Sequence, residues 1–244
     1  MDALICEDGS YLQQGTAGIQ TLMFLQKAFG RNCNGGGDWN GNGVIDRPYQ
    51  LQGQQCLLFY LGGIPVRSQD GTIGFSGFSQ NPANPAAPAV AGERRRGPYF
   101  QFATSRIALD SRYMAPSSDF PVYQDPYKVK GKNTVYAYFS AQGRNNWYSV
   151  SDCAAIAAQP YYQGISAMGA QYLNSSTFQI ICAGEDGVFG GETRGPVPGA
   201  VFWQPLSGQI AGYGGGIPIL NAKKQPSGNN DQTNFARGLL MAGQ

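Results

Sequence analysis

The 244-residue chain contains no histidine. That absence removes the general base of a Ser-His-Asp triad, the imidazole ligands of most zinc centres and the axial ligand of attached c-type haem. Its five cysteines, Cys6, Cys33, Cys56, Cys153 and Cys182, include no C-x-x-C pair, so neither a zinc knuckle nor a thioredoxin-like redox site is written here. They read either as buried small hydrophobes or as one or two structural disulfides with at least one thiol left over. Charge is also scarce: Asp, Glu, Lys and Arg make up 13% of the chain, and the net charge is only +2. Such a balance leaves no electrostatic footprint for nucleic acid, and the single basic run, Arg94-Arg95-Arg96, reads as a solvated loop. No apolar run approaches a membrane span, and the N-terminus lacks the basic-then-apolar layout of a secretory signal.

Glycine is abundant, with 35 residues, which favours an irregular, loop-rich fold. The clearest helix starts near Thr16, a residue able to cap it, carries an apolar stripe of Ile19, Leu22, Met23, Leu25, Ala28 and Phe29, and ends at Gly30. A second is expected over Leu51 to Leu61, before Gly62-Gly63, with an apolar cluster suited to lying on a sheet. Gly74 to Pro98, rich in Gly, Pro, Asn, Ser and Ala, reads as a long surface excursion. Beyond it, β-branched and aromatic residues around Tyr136 to Phe139 and Phe178 to Cys182 predict strands, with Gly216 to Leu220 a weaker third. Glycine-rich turns and the want of helical crossovers favour antiparallel pairing. The expectation is an α+β fold in one domain: residues 1–30 helical, 31–130 a loop-rich insertion, and 131–244 an antiparallel sheet with C-terminal loops, against which the N-terminal helix packs.

Two oxygen-rich regions suggest calcium. In "GGGDWNGNGVIDRP", Asp38, Asn40, Asn42, Gly43 and Asp46 stand at positions one, three, five, six and nine of the calcium-loop pattern. Position twelve, where a bidentate glutamate is needed, is Tyr49, so what survives is half a site, an ordered turn of which weak or no calcium binding is expected. In "CAGEDGVFGGE", Glu185 and Asp186 follow a strand at what reads as an Asp-Gly hairpin or bulge. "SGNNDQTNF", Ser227 to Phe235, is a second oxygen-rich loop able to close over it and complete a cage.

The succession "TFQIICAGEDGVFGG" and then "NNDQTNF", with "LQGQQCLLFYLGGIP", "GFSGFSQNP" and "VYAYFSAQG" upstream, resembles the large pilin-like proteins of planctomycete genomes, relatives of type II secretion pseudopilins. The matching stretches cover about half the chain, and their order carries the likeness more than any one motif. The resemblance implies a pilin-like head with long irregular loops and a structural calcium held by Asp186 and Asp231, with Asn230 and Asn234 as further ligands. Cys182 departs from the serine with which that turn usually begins, and a thiol is a poor ligand for a hard ion. The apolar stem that anchors such proteins in the membrane and forms the filament core is not in this sequence.

The function expected from this likeness is assembly rather than catalysis: a filament or secretion subunit, periplasmic or at the cell surface, anchored in the inner membrane before assembly and partnered by other pilin-like subunits. Membrane contact would come only through the stem. The alternative is a calcium-dependent carbohydrate-binding or adhesive module in which Trp39, Trp147 and Trp203 stack on sugar rings, although core packing is the stronger expectation for each tryptophan. A glycosidase with two carboxylates ranks last, because no pair is singled out by spacing. Cys33 and Cys56 bracket the first oxygen-rich loop and are the pair expected if a disulfide forms there.

Overall fold

The computed structural model describes residues 3–115, 118–129, 132–141, 147–166, 169–190, 192–194, 201–202, 217–218 and 231–233. The chain divides into two compact units, Asp2–Tyr123 and Gln124–Gln244.

The first unit opens with strand β1, Ala3–Ile5, and a 3-10 turn over Ser10–Gln14 that leads into helix α1, Gly15–Phe29. Thr16 lies inside the first helical turn, and Gln14 stands at the cap without a side-chain hydrogen bond. Gly30 ends the helix, its N–H returning to the Gln26 carbonyl. Arg96 donates to the carbonyl of Ala28 at 3.0 Å, placing a cation at the negative end of the helix.

The buried face of α1 is Gly18, Thr21, Leu25 and Phe29, while Ile19 and Met23 of the expected stripe are exposed. Gly18 accounts for this rotation: a Cβ there would stand 2.1 Å from the Tyr11 carbonyl oxygen, so only glycine lets the preceding turn close on this face. Thr21 Oγ1 accepts the Leu4 amide at 3.2 Å and fastens β1 to the same face.

Strand β2, Tyr49–Leu51, pairs antiparallel with β1 and leads into helix α2, Gly53–Gly62, which begins at a Gln52/Gln55 capping box. Residues Gln54 to Phe59 of α2 are all buried. Gln55 is satisfied there, donating to Ser118 Oγ and the Phe120 carbonyl, each at 2.8 Å, and accepting from the Ala115 amide at 3.1 Å. A buried amide so completely paired fixes the 115–120 segment against the helix.

Two short hairpins follow, β3 Pro65–Arg67 with β4 Ile73–Phe75, and β5 Phe78–Ser79 with β6 Arg95–Arg96. The segment from Gly74 to Pro98 is therefore not only a surface excursion: Phe78, Ser79 and Ala86 are buried. Nor is the arginine run merely solvated. Arg95 pairs with Glu93 at 2.9 Å and donates to the carbonyls of Ser76, Gly77 and Ala87, so it cross-links this segment from within. Strand β7, Ile107–Ala108, pairs with the first residues of β8, Val122–Val129. The core is aromatic: Trp39 is fully buried, with ring centroids of Phe29, Phe59 and Phe78 5.9, 5.6 and 6.2 Å away.

In the second unit the rest of β8 pairs with β9, Lys132–Val135. The remaining strands are β10 Ala137–Ser140, β11 Tyr161–Ser166, β12 Gly169–Tyr172, β13 Phe178–Cys182, β14 Glu192–Arg194, β15 Val201–Phe202, β16 Ile217–Pro218 and β17 Gln232–Thr233. The expected single sheet is replaced by several small ones: β10-β13-β17, β12-β11-β15 and β14-β16. All of these pairs are antiparallel except β11 with β15, which is parallel. Strands of two to six residues cannot extend a continuous ladder, and side chains connect the sheets instead. Buried Gln179 of β13 accepts the Tyr161 amide and donates to the carbonyls of Tyr161 and Leu173, each at 2.8 Å. The core beneath is again rich in aromatics, with Phe139, Tyr148, Tyr161, Tyr162, Tyr172 and Phe189.

Candidate metal-binding sites

The first oxygen-rich loop hangs from the β1–β2 pair. Because Ile5 lies opposite Tyr49, Glu7 emerges from β1 at the base of the loop. Its carboxylate is buried and accepts four hydrogen bonds: Oε1 from the Trp39 amide at 2.9 Å, the Asn40 amide at 3.3 Å and the Tyr49 hydroxyl at 2.7 Å, and Oε2 from the Asp46 amide at 2.8 Å. Burial pushes the Glu7 carboxyl above its ordinary value, the donors from Asp46, Tyr49 and Asn40 pull it back, and the charge of Asp38 adds to the upward push.

Held in this way, the loop turns its oxygens inward. Asp38 accepts the amides of Asn42 at 3.1 Å and Gly43 at 2.8 Å, Asn40 Oδ1 accepts the Asn42 amide at 3.0 Å, and Asn42 Oδ1 accepts the Val44 amide at 2.8 Å. Asp46 Oδ2 receives the side-chain amides of Asn40 and Asn42 at 2.7 and 2.8 Å. Asp38, Asn40, Asn42 and Asp46 thus share one hydrogen-bond network, in which Asp46 Oδ2 accepts twice and the accepting oxygens of Asp38, Asn40 and Asn42 once each. Glu7 spends Oε1 on three donors and Oε2 on the Asp46 amide. It holds the loop from behind.

The second region centres on Asp231. Strand β17 pairs with the end of β13, with Cys182 opposite Gln232, so Asp231 lies beside the turn that leaves β13. That turn is a 3-10 turn over Gly184–Asp186, not a hairpin, and Gly187 closes it with φ of 69°. Asp186 Oδ1 accepts the Val188 amide at 3.0 Å. Asp231 is fully buried; its Oδ2 accepts the Tyr161 hydroxyl at 2.7 Å and the Gly190 amide at 3.0 Å. Its Oδ1 is buried without a hydrogen-bond partner among the described residues. Burial drives the Asp231 carboxyl well above its ordinary value against the pull of the Gly190 and Tyr161 donors, and the charges of Asp186 and Asp125 raise it further.

An orphaned buried carboxylate oxygen is the kind of atom a hard cation satisfies, and calcium takes six to eight oxygens. Asn230 and Asn234, the further ligands implied by the resemblance, lie outside the described residues, as does Trp203. Among the described residues no three histidine, cysteine, aspartate or glutamate side chains stand close enough to hold one metal ion together.

Other expectations are corrected. Trp39 is core and cannot stack on a sugar, whereas Trp147 is 50% exposed. All five cysteines are buried and none is in a disulfide, so Cys33 and Cys56 are not bridged. Cys56 sits within α2 with its Sγ 3.5 Å from the Leu51 carbonyl, turned toward its own chain. The residues that local sequence reading missed are Glu7, which reaches across 39 residues to Asp46, and Asp125, a buried acid within β8. The Asp125-Pro126 step inside an otherwise strand-like run was the one available sign of the latter.

Compared with known proteins, the chain matches no family model, no curated protein and no solved structure.

Proposed function

We propose that this chain is the head of a pilin-like or pseudopilin-like subunit, a part of a secretion-system or cell-surface filament that works by assembly and display rather than catalysis. Its partners are other pilin-like subunits, its place is the periplasm or cell surface, and an apolar stem preceding the head provides membrane anchoring and the filament core. The observation that carries the reading is the burial of Asp231 against the segment following Asp186, through the Gly190 amide. It joins the two C-terminal loops whose order along the chain motivates the family likeness.

Calcium has a structural role in this reading. In the second unit Asp231 and Asp186 would hold it; in the first, Asp38, Asn40, Asn42 and Asp46 would do so weakly, in the range of about 10⁻⁴ to 10⁻³ M typical of extracellular modules. Bound ion would replace the inward amide hydrogens with a shared positive centre and add stability by mass action.

Fusion of an apolar helical stem ahead of the chain, followed by electron microscopy, tests assembly: filaments are expected with the stem, and a monomer or small oligomer by size-exclusion chromatography and light scattering without it. Ordered fibres formed by the stemless chain would overturn the assembly mechanism, and glycan hydrolysis lost on a single Asp or Glu substitution would overturn the whole assignment. Calcium titration of the Asp38→Ala, Asp46→Ala double variant tests the first-unit loop; submicromolar binding lost in that variant would contradict the weak-site reading.

The exposed ring of Trp147 favours a second reading, a calcium-dependent carbohydrate-binding module. Glycan-array binding abolished by chelator and by Trp147→Ala would establish it.

A further inference from the structure

We propose that the surface around Tyr99 and Phe100 docks on an anionic lipid surface, the two rings entering the headgroup boundary while Arg94, Arg96 and Arg106 meet the phosphates. The inference goes beyond the assembly reading and needs neither calcium nor the stem. It stands on the exposure of the two rings, the way they are held, and the charge around them.

Tyr99 is 66% and Phe100 50% exposed, and the amides of both are directed at the Leu61 carbonyl, at 2.7 and 3.3 Å. That carbonyl belongs to the last turn of α2, so a buried helix fixes the backbone that presents the rings. Tyr99 lies over Gly97: a Cβ there would stand 3.3 Å from the ring's Cδ2, which places this ring beside the arginine run. On the other side, Phe100 meets Phe102 and Phe102 meets Tyr123, each with ring centroids 4.8 Å apart. The Arg106 guanidinium lies 4.3 Å over the Tyr123 ring. The exposed apolar tip is therefore continuous, through two rings, with a stacked cation.

From Arg94 to Leu109 the chain holds four arginines and no acidic residue. Arg95 is neutralised by Glu93, and the acids beyond the stretch, Asp110 and Asp119, pair with Arg112 and Arg67. Arg96 donates to the neutral carbonyl of Ala28 and keeps its charge. Arg94, Arg96 and Arg106 thus set a positive field beside the exposed rings, the complement of a negative lipid surface. An acidic glycan carries the same sign of charge, but stacking on sugars needs flat faces. Successive rings here cross at 63° and 66°, so they offer consecutive sugars no common plane. Entry into a headgroup layer needs apolar bulk beside cations, without coplanar rings.

The test is co-sedimentation of the full chain with vesicles of phosphatidylcholine alone, and of phosphatidylcholine and phosphatidylglycerol in equal parts, at low and high sodium chloride. Binding is expected only to the mixed vesicles and should fall as salt rises. The double variant Arg94→Gln, Arg106→Gln should bind about thirtyfold more weakly, about fivefold for each charge removed. Arg94→Lys with Arg106→Lys should restore most of the binding, because a lipid field acts on charge and not on guanidinium shape. Tyr99→Ser with Phe100→Ser should remove the binding that persists at high salt. If loss of the Arg106 contact disturbs the fold by circular dichroism, Arg94→Gln alone decides: about fivefold weaker binding supports the proposal, and unchanged binding refutes it. No binding to the mixed vesicles, equal binding to both kinds, or saturable binding to soluble alginate in place of vesicles would overturn it. The readout involves neither filaments nor calcium, so its failure and the failure of the assembly reading are separately visible.

Discussion

Replacement of Glu7 by glutamine is the sharpest test of how the first oxygen-rich loop is held. Four donors converge on the Glu7 carboxylate, three on Oε1 and the Asp46 amide on Oε2. A glutamine that keeps its oxygen toward Trp39, Asn40 and Tyr49 must turn its NH₂ toward the Asp46 N–H, setting donor against donor. A hydrogen bond to a charged group contributes about 1.5 to 3 kcal/mol, and a buried donor left unpaired costs about 1 to 3 kcal/mol. The three remaining bonds also pass from a charged to a neutral acceptor and weaken. Allowing for relaxation at half-buried Asp46, the loss should be about 3 kcal/mol in the local stability of the loop, or roughly a hundredfold.

Amide hydrogen exchange at Asp46, Asn40 and Trp39 measures that local opening directly, whereas global unfolding of a chain with two compact units would blur it. Exchange at these amides should accelerate by about that hundredfold in Glu7→Gln, with α2 unaffected. The opposing account is that Glu7 carries a proton in the folded state, in which case glutamine is its near-isostere. Exchange as slow in Glu7→Gln as in the parent would refute the charged-acceptor argument.

Two glycines of the same loop should separate clash from backbone strain. Gly41→Ala places a Cβ 2.0 Å from the Pro65 carbonyl oxygen at φ of 64°, whereas Gly43→Ala meets nothing within 4 Å at φ of 85°. Thermal unfolding should show a loss of about 1 to 2 kcal/mol for Gly43→Ala, the left-handed penalty alone, and a distinctly larger loss for Gly41→Ala. Equal losses would refute the contact drawn between Gly41 and Pro65. The thiols provide the third prediction: burial, with a further push from the Asp8 charge and a partial offset from the Ser10 hydrogen bond, sets Cys6 at about 11, and burial raises Cys33 as well. Alkylation at neutral pH should therefore leave all five cysteines unmodified in the native chain and label all five after denaturation. Mass spectrometry of the non-reduced protein reads both states, and a Cys33–Cys56 bridge in freshly prepared chain would refute the prediction.

The elements legible in the sequence were those whose cause is local. Helix α1 ends at Gly30 because the apolar spacing and the terminating glycine act within one or two turns, and α2 ends before Gly63 for the same reason. Strand β13 was visible in its β-branched run, and the oxygens of Asp38, Asn40, Asn42 and Asp46 were visible because their spacing is contained within nine residues. Which face of α1 is buried was not legible: Gly18 must yield to the Tyr11 carbonyl, a contact that hydrophobic periodicity does not register.

By itself, the sequence excluded histidine chemistry and spaced an oxygen-bearing loop along one short segment. Tertiary structure alone decided that Glu7 anchors this loop from 39 residues away, that Trp39 is core, that β11 and β15 run parallel, and that Asp231 is buried beside Gly190 with an oxygen left open. Dihedral preference and side-chain period act over a few residues, whereas a buried carboxylate is defined by what encloses it. That enclosure comes from segments whose meeting depends on the packing of the whole unit.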